Sequence, residues 1–274
     1  MFRTRRSALG AFFALTFLLS WGVWGTALAF QNGLIDWKLP GDPLSYLAIT
    51  LAALLVTGLS SGTTGLKHLL GRMIIWRVHV KWYLAALLLP GVPALAAIGI
   101  HLALGGTHDM GALVPLTAVV PLLLTQIVLH LLTEELGWRG FALPRLRARF
   151  GPLAAGIVLG LVWGAWHIPM FLVTGTRQTY PFAGFLILIV SISVVMTWVF
   201  DHTRGSVLIA ALFHAAMNTW WAATNTLWGS ESLFWIFVAV TAATAVVVAI
   251  VQSRGSRKAL LPPVPAATPA TAQV

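Results

Sequence analysis

Seven carboxylates serve this chain of 274 residues, and two of them stand side by side. Glu134 and Glu135 follow the apolar run PLLLTQIVLHLLT without a break, so one helix carries both acids into or beside an apolar phase. A charge at the centre of a membrane span costs roughly 2.5–3.5 kcal/mol on insertion scales, and an adjacent like charge raises that cost. Successive helix residues differ by about 100°, so the two acids cannot serve one point equally. Glu135 shares a face with Arg139 at i,i+4, the spacing of a structural ion pair. Glu134 shares its face with His130, one turn earlier. One acid is therefore tied to a cation, and the other is free to move protons. The bland alternative is that the pair only marks the cytoplasmic end of a helix.

Two further histidines stand within apolar runs. His167 lies in GLVWGAWHIPMF, one turn after Trp163, and His214 lies in LIAALFHAAMNTW, one turn before Asn218. A lone buried histidine is ordinarily a packing residue. Two such helices beside an acidic one are different, because polar groups in a bilayer must find partners among themselves. The chemistry available to such a set is general acid–base catalysis on a water or the binding of an ion. His68 and His79 fall in a basic segment, His108 and His202 in loops and His101 near the outer end of a span, and all five read as ordinary polar residues.

The elements that must position these groups are membrane helices. Apolar residues make up 58% of the chain and charged residues 9%, against roughly 25% charged in soluble domains. Apolar runs fall near 8–30, 44–60, 82–104, 112–136, 152–173, 182–200, 205–224 and 232–251. The expected fold is all-α, a polytopic transmembrane bundle of about eight spans. It forms a single membrane domain over 1–258, with the motifs in about 112–224 and a disordered cytoplasmic tail at 259–274. Nearly all Lys and Arg lie in alternate gaps, only Lys38 and Arg177 falling in the others. The positive-inside rule then puts both termini in the cytoplasm of a cell-membrane protein. The same pattern assigns the net charge of +10 to topology and lipids rather than to nucleic acid. The first run resembles a secretory signal, but its length and its Trp21 and Trp24 favour a retained span.

Several smaller expectations accompany this. The segment 61–81, with His68, Arg72, Arg77 and His79, reads as an amphipathic helix on the cytoplasmic face, anchored by Trp76 and Trp82. Asp36, Asp42, Asp109, Asp201 and Glu231 read as solvated loop residues. There is no cysteine, which removes thiolate and disulfide chemistry. One tension remains: His167 lies about 15 residues into its run, roughly 22 Å along a helix, whereas Glu134 ends its own. For the two to meet, the segment 137–151 must dip into the membrane or the next helix must tilt.

In this order the motifs resemble those of the CAAX protease and bacteriocin-processing (CPBP, or Abi) family of intramembrane proteases. EExxxR appears as Glu134 to Arg139, followed by Gly140. An aromatic, usually Phe, followed at the fourth position by His appears as Trp163 to His167. HxxxN appears as His214 to Asn218. The resemblance covers about 130 to 220. It implies an intramembrane endopeptidase acting on a peptide or a membrane-tethered protein. Glu134 would activate water, helped by His167, while His214 and Asn218 would stabilise the oxyanion. Glu135, Arg139, Trp163 and His130 would support the site. Whether a metal takes part is open: Glu134, His167 and His214 could hold Zn²⁺, or the site could work with none. A bacterial source would favour leader-peptide processing or bacteriocin immunity over prenylated substrates. Two other classes compete, a non-catalytic immunity factor or scaffold and a proton-coupled transporter. No repeat relates the two halves, which weakens the transporter reading.

Overall fold

The computed structural model describes residues 5–109, 114–176 and 179–255. The described residues are helical throughout apart from turns and short connections: α1 Arg5–Gln31, α2 Gly41–Gly71, α3 Val80–Leu88, α4 Gly91–Ala103, α5 Leu116–Thr133, a π-helical segment Leu136–Ala142, α6 Leu143–Phe150, α7 Pro152–Trp166, α8 Phe182–His202, α9 Val207–Thr224 and α10 Glu231–Gly255. Helices are what apolar chains must form where no water can satisfy the backbone. The expected tail at 259–274, Arg3 and Arg177 lie outside the described residues.

Each of the eight apolar runs becomes helical, but two of them are not simple spans. Among the described residues, six helices or helix pairs are long and apolar enough to cross a membrane alone. Thr117–Thr133 together with Leu136–Phe150, bent by 48°, pass the same test as a pair and form a broken span or a re-entrant loop. The remaining run gives α7, whose 15 residues reach only about 22 Å, short of a hydrocarbon core of about 30 Å. The chain is an all-α integral membrane protein.

α1 and α2 are stitched by reciprocal bonds, Ser20 Oγ to the Ser45 carbonyl at 2.8 Å and Ser45 Oγ to the Ser20 carbonyl at 3.3 Å. The segment 61–81 departs from the expected surface helix. α2 continues through it to Gly71, kinked at Gly62 (φ 59°), and a 3-10 turn at Arg72–Ile74 leads to extended chain before α3. Trp76 is exposed, as an interfacial anchor should be. Trp82 is instead buried, 5.0 Å from the Trp198 ring and 4.8 Å from His202, because α3 turns that face onto α8.

α7 packs most extensively against α8, and its small residues allow it. A Cβ on Gly160 would stand 2.7 Å from the Val190 Cα, so the two backbones meet where only glycine fits. One turn away, Ser193 Oγ donates to the Gly156 carbonyl at 2.8 Å. α6 is tied to the far side of α8 by Arg147 Nε and Asp201 Oδ1, 2.9 Å apart. Gln252 of α10 reaches the other Asp201 oxygen at 3.4 Å. Asp201 is therefore a buried, paired acid rather than a solvated loop residue: α8 extends through His202, past the end of its apolar run, and carries Asp201 inward.

Candidate active site

The pair of acids sits at a break in the polypeptide. α5 ends at Thr133, Glu134 leaves helical geometry (φ −118°, ψ −52°), and the wider π segment begins at Leu136. π turns inside α-helices are uncommon and concentrate at functional sites. Every residue of the segment is buried. Gly137 is required there, because a Cβ would stand 2.9 Å from the Ile49 carbonyl oxygen on α2. The π segment and α6 together run 15 residues back along α7, from which they are separated only by Gly151 (φ 76°). Trp163 meets Glu134 and Trp166 meets Trp138, so the far ends of the two segments stand together. The bend thus brings Glu134 to the depth of Trp163 and His167, resolving the mismatch of about 22 Å.

Around Glu134 and Glu135 the buried polar groups form two connected sets. In the first, His130 Nδ1 lies 3.2 Å from Glu134 Oε1, and Trp163 Nε1 donates to Glu134 Oε2 at 3.3 Å. Asn218 Nδ2 lies 2.8 Å from His130 Nε2. A single tautomer satisfies both contacts of His130: Nδ1–H donates to the carboxylate and Nε2 accepts from the amide. In the second set, Arg139 Nη1 donates to Glu135 Oε1 at 2.8 Å, and His214 Nδ1 lies 2.7 Å from the same oxygen. Glu135 and Arg139 are fully buried. The guanidinium also lies over the Trp163 ring at 4.3 Å and reaches Met196 Sδ at 3.0 Å. The two sets touch where the His130 and His214 rings stack, centroids 3.6 Å apart and planes within 7°.

His167 closes α7. Its Nδ1 lies 2.8 Å from the Trp163 carbonyl, so that nitrogen is the donor and Nε2 is left as a bare acceptor. The same reasoning leaves His214 Nε2 bare. His167 meets the site through Trp163, whose carbonyl accepts from it and whose ring lies 6.0 Å from its own. It is not among the three residues, His130, Glu134 and His214, whose ligand atoms lie within 4.8 Å of one another. Of the ligand set expected from sequence, Glu134 and His214 belong to this close group and His167 does not; His130 joins them because it lies one turn before Glu134.

This donor set does not suit zinc as arranged. A bound ion lies close to the plane of each imidazole, about 2.0–2.1 Å from its nitrogen. Two stacked, nearly parallel rings have no common in-plane point near both nitrogens. His130 Nδ1 and Nε2 are moreover both engaged within the network. The arrangement suits proton transfer between neutral imidazoles and carboxylates.

Sequence reasoning missed Met196 as a partner of Arg139 and the donor role of Trp163. A methionine in an apolar run carries no sign that it faces a cation, and an aromatic at the Trp163 position was read only as a ring. His130, placed among the supporting residues, touches Glu134 and Asn218 directly. His79, His101 and His202 make their contacts outside this network.

Residues 116–220 match the family described as Rce1-like, type II CAAX prenyl endopeptidase. Over 109 residues the chain is 32% identical to CAAX prenyl protease 2 of Methanococcus maripaludis, covering 37% of this chain and 40% of that protein. The match therefore spans about two fifths of the relative's length. The family match falls on the segment that carries the three motifs, and there the resemblance to CAAX-type intramembrane proteases holds.

Proposed function

We propose that this integral membrane protein is an intramembrane endopeptidase of the CAAX protease type, in which Glu134 activates water without a metal. The observation that carries the reading is the unequal treatment of two adjacent acids. Glu135 is neutralised by Arg139. Glu134, almost fully buried, meets among the described residues only the side-chain N–H groups of His130 and Trp163. An anionic oxygen held by neutral donors keeps lone pairs for a water proton, as a general base requires. A base already neutralised by guanidinium would not.

In this mechanism Glu134 takes a proton from water, whose oxygen attacks the peptide carbonyl. The bare Nε2 of His167 accepts the second water hydrogen and fixes the angle of attack. Asn218 spends one amide N–H on His130 and offers the other to the oxyanion. His214 has a lone pair at Nε2, so it donates to the oxyanion only after taking up a proton. The Glu135 carboxylate on Nδ1 favours that protonation, as a carboxylate behind a catalytic imidazole does. The departing amine then takes a proton from Glu134 or His214. Substrates of this site are peptides or membrane-tethered proteins that can enter the bilayer. The basic gaps, and with them both termini, face the cytoplasm.

The test is cleavage of membrane-tethered peptides by the liposome-reconstituted protein, comparing wild type with Glu134→Gln, each with and without a strong chelator. Loss of the base costs about 10²–10⁴-fold in rate, and the chelator changes nothing. Undiminished cleavage by Glu134→Gln rejects Glu134 as the base. Loss of wild-type activity with chelator rejects the metal-free mechanism.

A further inference from the structure

Within the CAAX protease type the second motif usually offers a phenylalanine where this chain has Trp163. An aromatic face at this position would be enough to pack against its neighbours. What a phenylalanine lacks is the indole N–H, and in this structure that N–H is spent on Glu134 Oε2 at 3.3 Å. Three other contacts radiate from the same residue. Its ring face receives the Arg139 guanidinium at 4.3 Å. The ring meets His214 edge to face, 5.1 Å apart and at 76°. Its backbone carbonyl accepts from His167 Nδ1 at 2.8 Å. One fully buried side chain thus touches a member of every motif.

The contact to Glu134 matters because of where the carboxylate lies. In water a carboxylate is held in no single orientation, since solvent donors surround it. In the bundle interior its donors must come from the protein. His130 supplies one on Oε1 and Trp163 supplies one on Oε2. With a donor on each oxygen the carboxylate plane cannot turn about its last torsion. One donor alone would leave it free to swing on that bond. Trp163 in turn has little freedom, because Gly160, one turn earlier, clamps α7 against α8.

We propose, on the premise that Glu134 is the catalytic base, that Trp163 is a positioning residue. Its indole N–H and the His130 N–H together lock the Glu134 carboxylate in the orientation that faces the attacking water. Trp163 itself touches no reacting atom. Its loss acts on turnover rather than on substrate binding.

The experiment has two arms. In the first, Trp163→Phe is compared with wild type and Glu134→Gln in the liposome cleavage assay. The variant keeps an aromatic face for Arg139 and His214 and loses only the donor. We expect kcat to fall about 10–100-fold, in keeping with the sensitivity of catalysis to small misplacements, with KM within about twofold. A kcat within twofold of wild type overturns the proposal, as does a loss confined to KM. Replacing residue 163 alone with benzothienylalanine, which exchanges the N–H for sulfur at constant shape, gives the same result without the change in volume. The second arm needs no activity. Melting temperatures are measured for Trp163→Phe, Glu134→Leu and the double variant. A hydrogen bond between the two residues makes their losses non-additive, the double variant losing less than the sum. Additive losses overturn the proposal. If the wild type cleaves no peptide, the enzymatic reading fails, and the melting cycle alone decides whether Trp163 holds Glu134. If Glu134→Gln is inactive and Trp163→Phe is fully active, only the role of Trp163 fails.

Discussion

Replacing Arg139 by methionine tests the most heavily buried charge in the protein. Arg139 and Glu135 are both fully excluded from solvent, with Nη1 2.8 Å from Oε1. At that distance and an effective dielectric of about 20 the attraction is about 6 kcal/mol, which offsets a desolvation cost of several kcal/mol for each ion. The net value of the pair is therefore small, whereas the cost of breaking it is not. Arg139→Met leaves Glu135 as a buried anion with only His214 Nδ1 for support, and destabilisation of about 3–5 kcal/mol follows. Methionine itself fits the space, which already holds Met196 and the face of Trp163. The damage is thus assignable to the orphaned charge. Adding Glu135→Gln removes that charge while keeping an acceptor for His214. The double variant then loses only about 1–2 kcal/mol, the difference between charged and neutral hydrogen bonds. The assay is reversible unfolding in mixed micelles, followed through the thirteen tryptophans. Wild-type stability in Arg139→Met refutes the reasoning. So does a double variant no more stable than Arg139→Met alone, which would make packing, not charge, the cause.

Further expectations concern the frame around the site. Gly160→Val forces a side chain into the Val190 backbone. It should cost about 1–3 kcal/mol as overpacking does, read as a lower melting temperature together with lower cleavage. Arg147→Ala leaves Asp201, whose side chain is 3% exposed, without its cation and with the neutral Gln252 amide at 3.4 Å, and should cost about 2–4 kcal/mol. Exchanging the two charges, Arg147→Asp with Asp201→Arg, should recover part of that loss in the same unfolding assay. Failure of the exchange to recover any of it would show that the surroundings, not the pair, set the cost.

What could be read without coordinates was what depends on local spacing. The eight apolar runs all became helical, and the pairings of His130 with Glu134 and of Glu135 with Arg139 follow from i,i+4 geometry on nearly continuous helix. The π segment was not legible. Its cause lies across the bundle, in the press of Gly137 against the Ile49 backbone, and no residue nearby in sequence announces it. The burial of Asp201 was hidden for the same reason, since its partners lie 54 residues before it and 51 after.

The shortness of α7 has a consequence for supply. A helix of 15 residues leaves roughly 8 Å of hydrocarbon uncrossed, and His167 stands where that helix stops. A bilayer meeting so short an element thins locally or yields its place to chain that is not helical. Here the 3-10 turn Ile168–Phe171 follows directly on His167. A truncated span ending in a 3-10 turn shortens the oily path by which water reaches Glu134, and water is the co-substrate that the proposed hydrolysis would consume at every turnover.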